Sequence, residues 1–277
     1  MAPSALIRAL ALSCHPIPTL AVTAVSGGLV ALAGLPVGRG ALVVATVFTG
    51  QLSIGWSNDY LDVERDRAVH RSDKPIVRGE LEPRVVGIAA VIGLLSTIAL
   101  AVALGWPGGA AAVVTVFGAW AYNLGLKATV LSWLPYAVAF GLAPAVVTLS
   151  ASPARWPGAW VLIACALLGV AAHLANVLPD LGDDAATGIR GLPHWIGAKA
   201  TALTTAALLL AASGVILFGP AGRFDPWRWV GFAAAVLVAG AATRLAHRDP
   251  SSRNFFLAII LIAAIDLVSF AFSGVRL

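Results

Sequence analysis

Long apolar runs separated by short polar segments recur along almost the whole chain. A helix that crosses the hydrocarbon core of a bilayer needs roughly 17–25 predominantly apolar residues. Nine runs fit this length, at residues 17–35, 40–57, 84–104, 107–123, 132–150, 157–179, 197–218, 227–246 and 254–274. The pattern therefore predicts an all-α, polytopic membrane protein in which nine transmembrane helices form one domain over residues 1–277.

The composition narrows the class of protein. Of the 277 residues, 59% are hydrophobic and only 11% are charged, whereas about 25% of the residues of a soluble globular protein are charged. So few charges cannot cover a surface that faces water. The composition argues against a soluble enzyme, a disordered chain and a nucleic-acid-binding domain, and the expected partner is the lipid bilayer.

The positive charges are divided unequally between alternate loops. The N-terminus and residues 58–84, 124–131, 180–199 and 247–253, together with Arg244 at a helix end, hold 13 of the 18 Lys and Arg residues. The opposite set holds five, which are Arg39, Arg155, Arg223, Arg228 and Arg276. Because positively charged loops stay in the cytoplasm, we predict a multi-pass protein of a bacterial-type cell membrane. Its N-terminus would be cytoplasmic and its C-terminus outside.

The second and sixth apolar runs end in polar residues with the same spacing. Asparagine and aspartate recur at i, i+4 and i+8 in both places, as Asn58, Asp62 and Asp66 and again as Asn176, Asp180 and Asp184. On a helix this spacing places three oxygen-bearing side chains along one face. Four predicted spans separate the copies, so both lie on the same side of the membrane. We therefore predict an internal repeat whose two halves face each other across a central cavity.

Stacked carboxylates repel one another, so neutralising one of them is expected to relieve strain unless a cation is bound. The oxygen-only side chains favour Mg²⁺, which typically binds one or two carboxylates together with substrate phosphates. Two such clusters suggest two Mg²⁺ ions that hold a diphosphate between them. A solvated acidic helix end would explain one cluster alone, but the repetition favours the metal site.

A bound diphosphate also needs fixed positive charges. Four basic residues follow the polar motifs on the same predicted side, namely Arg71, Lys74, Lys127 and Arg190. Lys127 carries the only charge between Arg84 and Arg155. An anchor at the cytoplasmic surface is the alternative role for Lys127, and it is the favoured role for Arg65, Arg67, Arg78 and Arg84.

These motifs resemble those of the UbiA superfamily of intramembrane prenyltransferases. The segment from Asn58 to Asp66, followed by Arg71-x-x-Lys74-Pro75-Ile76 and Gly79, is similar to the family pattern NDxxDxxxD…RxxRP…G. Lys74 replaces an Arg that many members have. Asp180-x-x-Asp183-Asp184 is similar to the second family motif, and Tyr122-x-x-x-x-Lys127 to the segment after the fourth span. The resemblance covers the whole chain in order.

The resemblance implies Mg²⁺-dependent transfer of a prenyl group from an isoprenoid diphosphate to a lipophilic, aromatic acceptor, with release of pyrophosphate. It implies that the metal and diphosphate are held by Asn58, Asp62, Asp66, Asp180 and Asp184. It also implies that the diphosphate is contacted directly by Arg71, Lys74, Lys127 and Arg190. We expect the substrate to contact Tyr122 and Asn176 as well. After Gly188 the chain differs from the family pattern. Arg190 keeps a positive charge, but the Ser or Thr hydroxyl that many members carry just after this glycine is missing. The acceptor or the ionisation geometry is therefore expected to differ.

Other functions fit the same residues. An intramembrane terpene cyclase would use the site without an acceptor. The dense acidic segment from Asn58 to Asp66 is also similar to members that alkylate a glycerol-phosphate lipid in ether-lipid synthesis. A secondary transporter would need its site near the bilayer midplane, whereas these motifs lie at the ends of spans. Two residues keep open roles: His173 is either a pocket contact or an interhelical hydrogen-bond partner, and Asp266 is either functional or structurally paired.

Overall fold

The computed structural model describes residues 3–220, 225–248 and 254–272, and within these ranges it contains helices and no β-strand. This confirms the all-α prediction. Two single 3₁₀ turns, Leu126–Ala128 and Leu178–Asp180, lie between the α-helices. The α-helices are α1 Pro3–Ser13, α2 Pro16–Leu32, α3 Val37–Ala68, α4 Pro83–Leu104, α5 Gly108–Leu124, α6 Leu134–Thr148, α7 Ala159–Val177, α8 Leu181–Ala186, α9 Leu192–Phe218, α10 Pro226–Arg248 and α11 Asn254–Phe272.

Several of these helices are long and apolar enough to cross a bilayer. Among the described residues six qualify by length and composition: α3, α4, α7 with its continuation to Ala186, α9, α10 and α11. The pair α1–α2, bent by 72°, makes a seventh if it counts as one span. The fourth and fifth predicted spans correspond to α5 and α6, which are apolar but have only 17 and 15 residues. The protein is therefore an integral, multi-pass membrane protein with at least six candidate spans.

The helix boundaries follow the prolines of the sequence. Pro16, Pro83 and Pro226 each occupy the first residue of a helix, where the missing N–H costs nothing because it has no intrahelical partner. α3 continues beyond the apolar run that ends at residue 57, as far as Ala68, so the acidic segment is helical as its spacing indicated. Basic side chains neutralise its carboxylates, as described below.

The described helices pack around three buried apolar clusters, of which the smallest holds Ala9, Val63, Ile76, Leu81 and Val86. The two larger clusters join successive helices. One joins α2 to α6 through residues such as Leu29, Val43 and Leu104, and the other joins α7 to α11 through residues such as Leu209 and Ile262. Small residues bring the helices close together: a Cβ added at Gly169 of α7 would lie 2.4 Å from the carbonyl oxygen of Tyr136. Such contacts are typical of helix packing in lipid.

Two arginines on the predicted outer side cap the ends of neighbouring helices. Arg39 Nε donates to the carbonyl oxygen of Ser150 at 2.8 Å, and its terminal nitrogens donate to Ala103 and Leu104 at the end of α4. Arg228 Nη1 donates to the carbonyl oxygen of Leu217 at 3.2 Å, near the end of α9. Carbonyls in the last turn of a helix have no intrahelical partner and carry the negative end of the helix dipole. These charges therefore serve the fold, while Arg223, Arg253 and Arg276 of the predicted orientation pattern lie outside the described residues.

Candidate active site

Three buried carboxylates lie at the end of α3, and each contacts a basic side chain. Asp59, Asp62 and Asp66 are 1%, 7% and 7% exposed. Lys74, from the loop after α3, places its Nζ 3.0 Å from Asp59 Oδ1 and 2.8 Å from Asp66 Oδ2. Asp62 forms ion pairs with Arg65 and with Lys127, which lies in the 3₁₀ turn after α5. The predicted repulsion between carboxylates is therefore offset by these cations.

Two hydrogen bonds from the amide nitrogen of Asn58 fix the orientation of its side chain. The Nδ2 atom donates to Asp62 Oδ2 at 3.1 Å and to Asn123 Oδ1 at 3.3 Å. Asn123 is fixed in turn, because its own Nδ2 donates to Ser57 Oγ at 2.8 Å. With the nitrogen engaged in this way, the amide oxygen of Asn58 is the atom suited to a metal ion.

The second polar motif does not form one continuous helix. The α-helix ends at Val177, a 3₁₀ turn covers Leu178–Asp180, and α8 begins at Leu181. Pro179 explains the break, because it has no N–H to donate to the preceding turn. A 3₁₀ turn therefore interrupts the α-helix between Asn176 and Asp184, although Ala159–Ala186 still counts as one candidate span, and the shared face of the three residues stays a prediction. Asn176 is exposed, and the two aspartates are partly exposed.

The two motifs are nevertheless neighbours in space. Arg71, from the loop after α3, places Nη1 3.3 Å from Asp180 Oδ2. Its Nε also donates to Asp73 Oδ1 at 3.0 Å. Asp184 interacts electrostatically with Asp62 and Lys127 of the first motif. Residues that are more than a hundred positions apart thus form one cluster of alternating charges.

Comparison with known proteins identifies the family. Residues 17–265 match the model of the UbiA prenyltransferase family. The chain belongs to this family. This confirms the resemblance seen in the motifs, and this UbiA-family protein is therefore an enzyme that transfers prenyl groups.

Individual relatives agree with this membership. The chain is 31% identical over 188 residues to a digeranylgeranylglyceryl phosphate synthase of Pyrococcus abyssi, an alignment that spans 66% of each protein. It is 27% identical over 249 residues to the digeranylgeranylglyceryl phosphate synthase of Halobacterium salinarum, covering 88% of this chain and 90% of that one. The solved structure of a UbiA homolog from Archaeoglobus fulgidus bound to GPP and Mg²⁺ has a TM-score of 0.70 and 18% identity, over 96% of this chain and 99% of that one. At that identity, the likeness concerns the fold.

The basic residues of this UbiA-family enzyme differ in how firmly they hold their charge. Burial opposes the charge of Lys74, but its ion pairs with Asp59 and Asp66 outweigh burial and raise its pKa above the ordinary value. For Lys127 burial is the stronger influence and lowers the pKa, although Asp62 partly compensates. Lys74 therefore holds its charge more firmly than an isolated lysine while it joins Asp59 to Asp66, and Lys127 holds its charge less firmly.

One residue of the cluster was not anticipated from the sequence. His15 Nε2 lies 2.9 Å from Asp59 Oδ1, at the break between α1 and α2. The break packs directly on α3, since a Cβ added at Gly55 would lie 2.3 Å from the carbonyl oxygen of Cys14. No motif in the sequence links positions 15 and 59. Pro16 indicates only that a new helix begins directly after His15, and it does not identify Asp59 as the partner of His15. The carboxylate of Asp59 is thus already paired with His15 and Lys74.

The remaining predicted residues lie at different distances from this cluster. Tyr122 contacts the rings of Tyr136 and His173, with centroids 5.2 and 5.7 Å apart. Arg190 is exposed and, in the described part of the chain, forms no ion pair with an acidic residue. It lines a cavity of about 300 Å³ beside α8, together with Leu181, Ala185, Pro193, His194, Trp195 and Gly197. Of the four predicted diphosphate contacts, the structure brings Arg71, Lys74 and Lys127 together and leaves Arg190 at the edge.

The two intramembrane residues with open roles both have polar partners. His173 Nε2 lies 2.9 Å from Ser132 Oγ, and Ser213 Oγ donates to Asp266 Oδ2 at 3.0 Å. His173 is fully buried and Asp266 is 4% exposed. For both residues the geometry favours a structural pairing, of His173 with the loop before α6 and of Asp266 with α9.

The donor set suits a magnesium ion that is shared with a substrate. Within residues 3–220, 225–248 and 254–272, no three His, Cys, Asp or Glu side chains are grouped closely enough to hold a metal by themselves. The first motif offers the oxygens of Asn58, Asp62 and Asp66 and the second those of Asp180 and Asp184, and basic residues accompany both, with Lys127 on Asp62 and Arg71 on Asp180. Mg²⁺ commonly takes one or two carboxylates and completes its coordination with phosphate oxygens and water. These residues therefore fit a metal that binds together with a diphosphate.

Proposed function

We propose that this prenyltransferase binds the diphosphate of an isoprenoid donor between the end of α3 and the α7–α8 junction. The observation that carries the proposal is the contact between Arg71 and Asp180, which joins the two acidic motifs through a basic residue. The binding of GPP and Mg²⁺ by the homolog from Archaeoglobus fulgidus, which has the same fold, supports it. In a site of low dielectric constant, cations aimed at the leaving group stabilise its developing charge strongly.

Each set of oxygen ligands would hold one Mg²⁺ ion, giving two ions in total. Asn58, Asp62 and Asp66 would hold one ion, and Asp180 and Asp184 the other. The ions supply Lewis-acid neutralisation of the departing diphosphate. Lys127 already extends to Asp62, so its ammonium lies at the edge where phosphate oxygens would arrive. Arg71 would contact the same phosphates from the loop after α3, while Asp59 and His15 keep Lys74 in place.

We propose that the acceptor is a glycerol-phosphate lipid and that the product is an ether. Two relatives with this activity in their names support the ether-lipid alternative over the aromatic acceptor. The hydroxyl oxygen of the acceptor would form a bond to C1 of the prenyl chain while the bond from C1 to the diphosphate oxygen breaks, and the hydroxyl proton would leave to water or phosphate. Tyr122 and Tyr136 offer π faces that stabilise an allylic cation near the site.

The test is a product analysis with defined lipids. Purified, detergent-solubilised protein would receive Mg²⁺, geranylgeranyl diphosphate and geranylgeranylglyceryl phosphate, and the products would be identified by mass spectrometry. We expect a doubly prenylated glyceryl phosphate and one pyrophosphate per product. Pyrophosphate release with only a hydrocarbon product would identify a cyclase. No turnover of this acceptor together with prenylation of an aromatic compound would overturn the ether-lipid assignment.

We also propose that all nine apolar helical segments cross the membrane, with the active-site entrance in the cytoplasm. The bent pair α1–α2 counts as one crossing, and the short α5 and α6 pack between longer neighbours. In a variant without Cys14 and Cys165, a cysteine at the exposed position His70 should react only with a reagent that reaches the cytoplasm. A cysteine at Ala154, in the exposed segment between α6 and α7, is the matched control and should react from outside. The opposite pattern would invert the topology.

A further inference from the structure

Two loops that carry predicted phosphate-binding residues touch each other beside the site. One follows α5 and contains Lys127, and the other precedes α9 and contains Arg190. A Cβ added at Gly191 would lie 2.6 Å from the carbonyl oxygen of Lys127 and 2.8 Å from Ser132 Oγ. Real Cβ atoms essentially never come so close, so the contact requires glycine at position 191. The main chain at Lys127 thus packs directly against Gly191, while its side chain reaches Asp62.

Ser132 is the polar centre of this contact. Its hydroxyl oxygen accepts a hydrogen bond from the backbone N–H of Leu192, the first residue of α9, at 2.9 Å. The same oxygen lies 2.9 Å from Nε2 of His173 on α7. Ser132 and His173 are both 0% exposed. Because a hydroxyl group both donates and accepts, one side chain joins the α5–α6 loop, the start of α9 and the middle of α7.

The imidazole is itself held in place. Its ring lies 5.7 Å from that of Tyr122 and 5.2 Å from that of Tyr136, measured between centroids. Among the residues that the structure describes, Ser132 is the only hydrogen-bond partner found for the ring. The imidazole is therefore a rigid, buried support with one polar connection, and this connection leads to the loop of Lys127.

We propose that Ser132, His173, Gly191 and Leu192, here called the loop clasp, position Lys127 for binding the diphosphate. None of the four contacts the acidic cluster; they act through the main chain of Lys127. The lysine side chain is long and flexible, so its ammonium stays beside Asp62 at low entropic cost only if its backbone is held. The inference rests on the proposed diphosphate role of Lys127 and adds the residues that make this role possible.

Opening the clasp should weaken diphosphate binding without unfolding the protein. Gly191→Ala is the sharpest variant, because it removes no hydrogen-bonding group and only separates the two loops. We expect it to weaken the binding of inorganic pyrophosphate with Mg²⁺ about tenfold, the scale of one lost hydrogen bond. The matched control is Gly240→Ala in α10, outside both acidic motifs, where an added Cβ meets no atom within 4 Å; it should bind normally. Calorimetric titration of the purified protein measures this affinity without requiring turnover.

A double-mutant cycle distinguishes a positioning role from a general structural one. Ser132→Ala should weaken pyrophosphate binding in the wild-type background but have little further effect in a Lys127→Ala background, because residues that act through one contact are not additive. The same loss in both backgrounds would overturn the proposal. Ser132→Ala leaves the Leu192 N–H and the His173 ring without their hydrogen-bond partner. The double variant Ser132→Ala with His173→Leu removes two of the three polar groups and repeats the same test without a stranded imidazole.

The outcomes also separate this inference from the proposed function. Wild-type pyrophosphate affinity in Lys127→Ala would remove the diphosphate role of Lys127, and the clasp proposal with it. Weak binding by Lys127→Ala together with normal binding by a well-folded Gly191→Ala would overturn the clasp alone. Melting temperatures close to that of the wild type verify that each variant is folded.

Discussion

Asp62→Asn and Asp180→Asn should each lower the rate of pyrophosphate release by at least about a hundredfold, the scale of losing one strong electrostatic contact in a transition state. Each substitution removes the charge of a proposed metal ligand in one motif while keeping the shape of the side chain. The phosphate charge then remains partly unneutralised in a site of low dielectric constant. The measurement is pyrophosphate release by the purified single variants at saturating Mg²⁺ and prenyl diphosphate.

The double variant should be little worse than either single one, because groups that act as a unit are not additive. Glu82→Gln, an exposed acidic residue before α4, is the matched control and should retain activity. EDTA should abolish turnover and Mg²⁺ should restore it. Near-normal release by either Asn variant, or full activity in EDTA, would exclude the two-motif metal site.

Lys74→Met should produce the largest loss of stability. The ammonium of Lys74 lies between Asp59 and Asp66, and all three side chains are buried. Removing one partner of a buried ion pair costs about 3–5 kcal/mol because it leaves an uncompensated charge, and here two carboxylates lose the same cation. We expect a markedly lower melting temperature in detergent and loss of activity, since the end of α3 would no longer be held.

Two further variants make this result interpretable. Arg78→Gln removes a positive charge from the same loop, but its ion pair with Glu80 is exposed, so its effect on the melting temperature should be small. Adding Asp59→Asn to Lys74→Met removes one of the stranded charges and should recover part of the stability. Equal melting temperatures for Lys74→Met and Arg78→Gln would show that the buried network does not stabilise the fold.

Hydropathy predicted the positions of the apolar helices because burial in lipid depends on composition over about twenty residues. The spacing of the acidic segment indicated that the helix continues to Asp66, but it could not predict the ion pairs of this segment with Lys74 and Lys127, which approach from later in the chain. The same contacts reverse an expectation about stability: repulsion suggested that Asp62→Asn would relieve strain, whereas the structure shows that it would leave Lys127 buried without its anion. Charge pairing over long sequence separations is invisible to local spacing.

The sequence predicted only the part of the candidate site in which the residues follow regular helix geometry. Spacing identified Asn58, Asp62 and Asp66 because they lie on one continuous helix, whose geometry is regular. The spacing did not predict the 3₁₀ turn at Leu178–Asp180, which contains Pro179 and interrupts the second motif. His15 could not be found at all, since its contact with Asp59 depends on a tight bend that brings the start of the chain against α3.

The helix caps formed by Arg39 and Arg228 bear on how the chain acquires its orientation. Before the helices have assembled, the carbonyl groups that Arg39 and Arg228 later cap are out of their reach. At that stage the two positive charges oppose the orientation that the charge pattern predicts. After folding, the same charges satisfy carbonyl groups that no residue of their own helix can reach. Replacing Arg39 by a neutral donor such as Gln should therefore make insertion more uniform while making the assembled protein less stable. Stability and correct biogenesis place opposite demands on a single side chain.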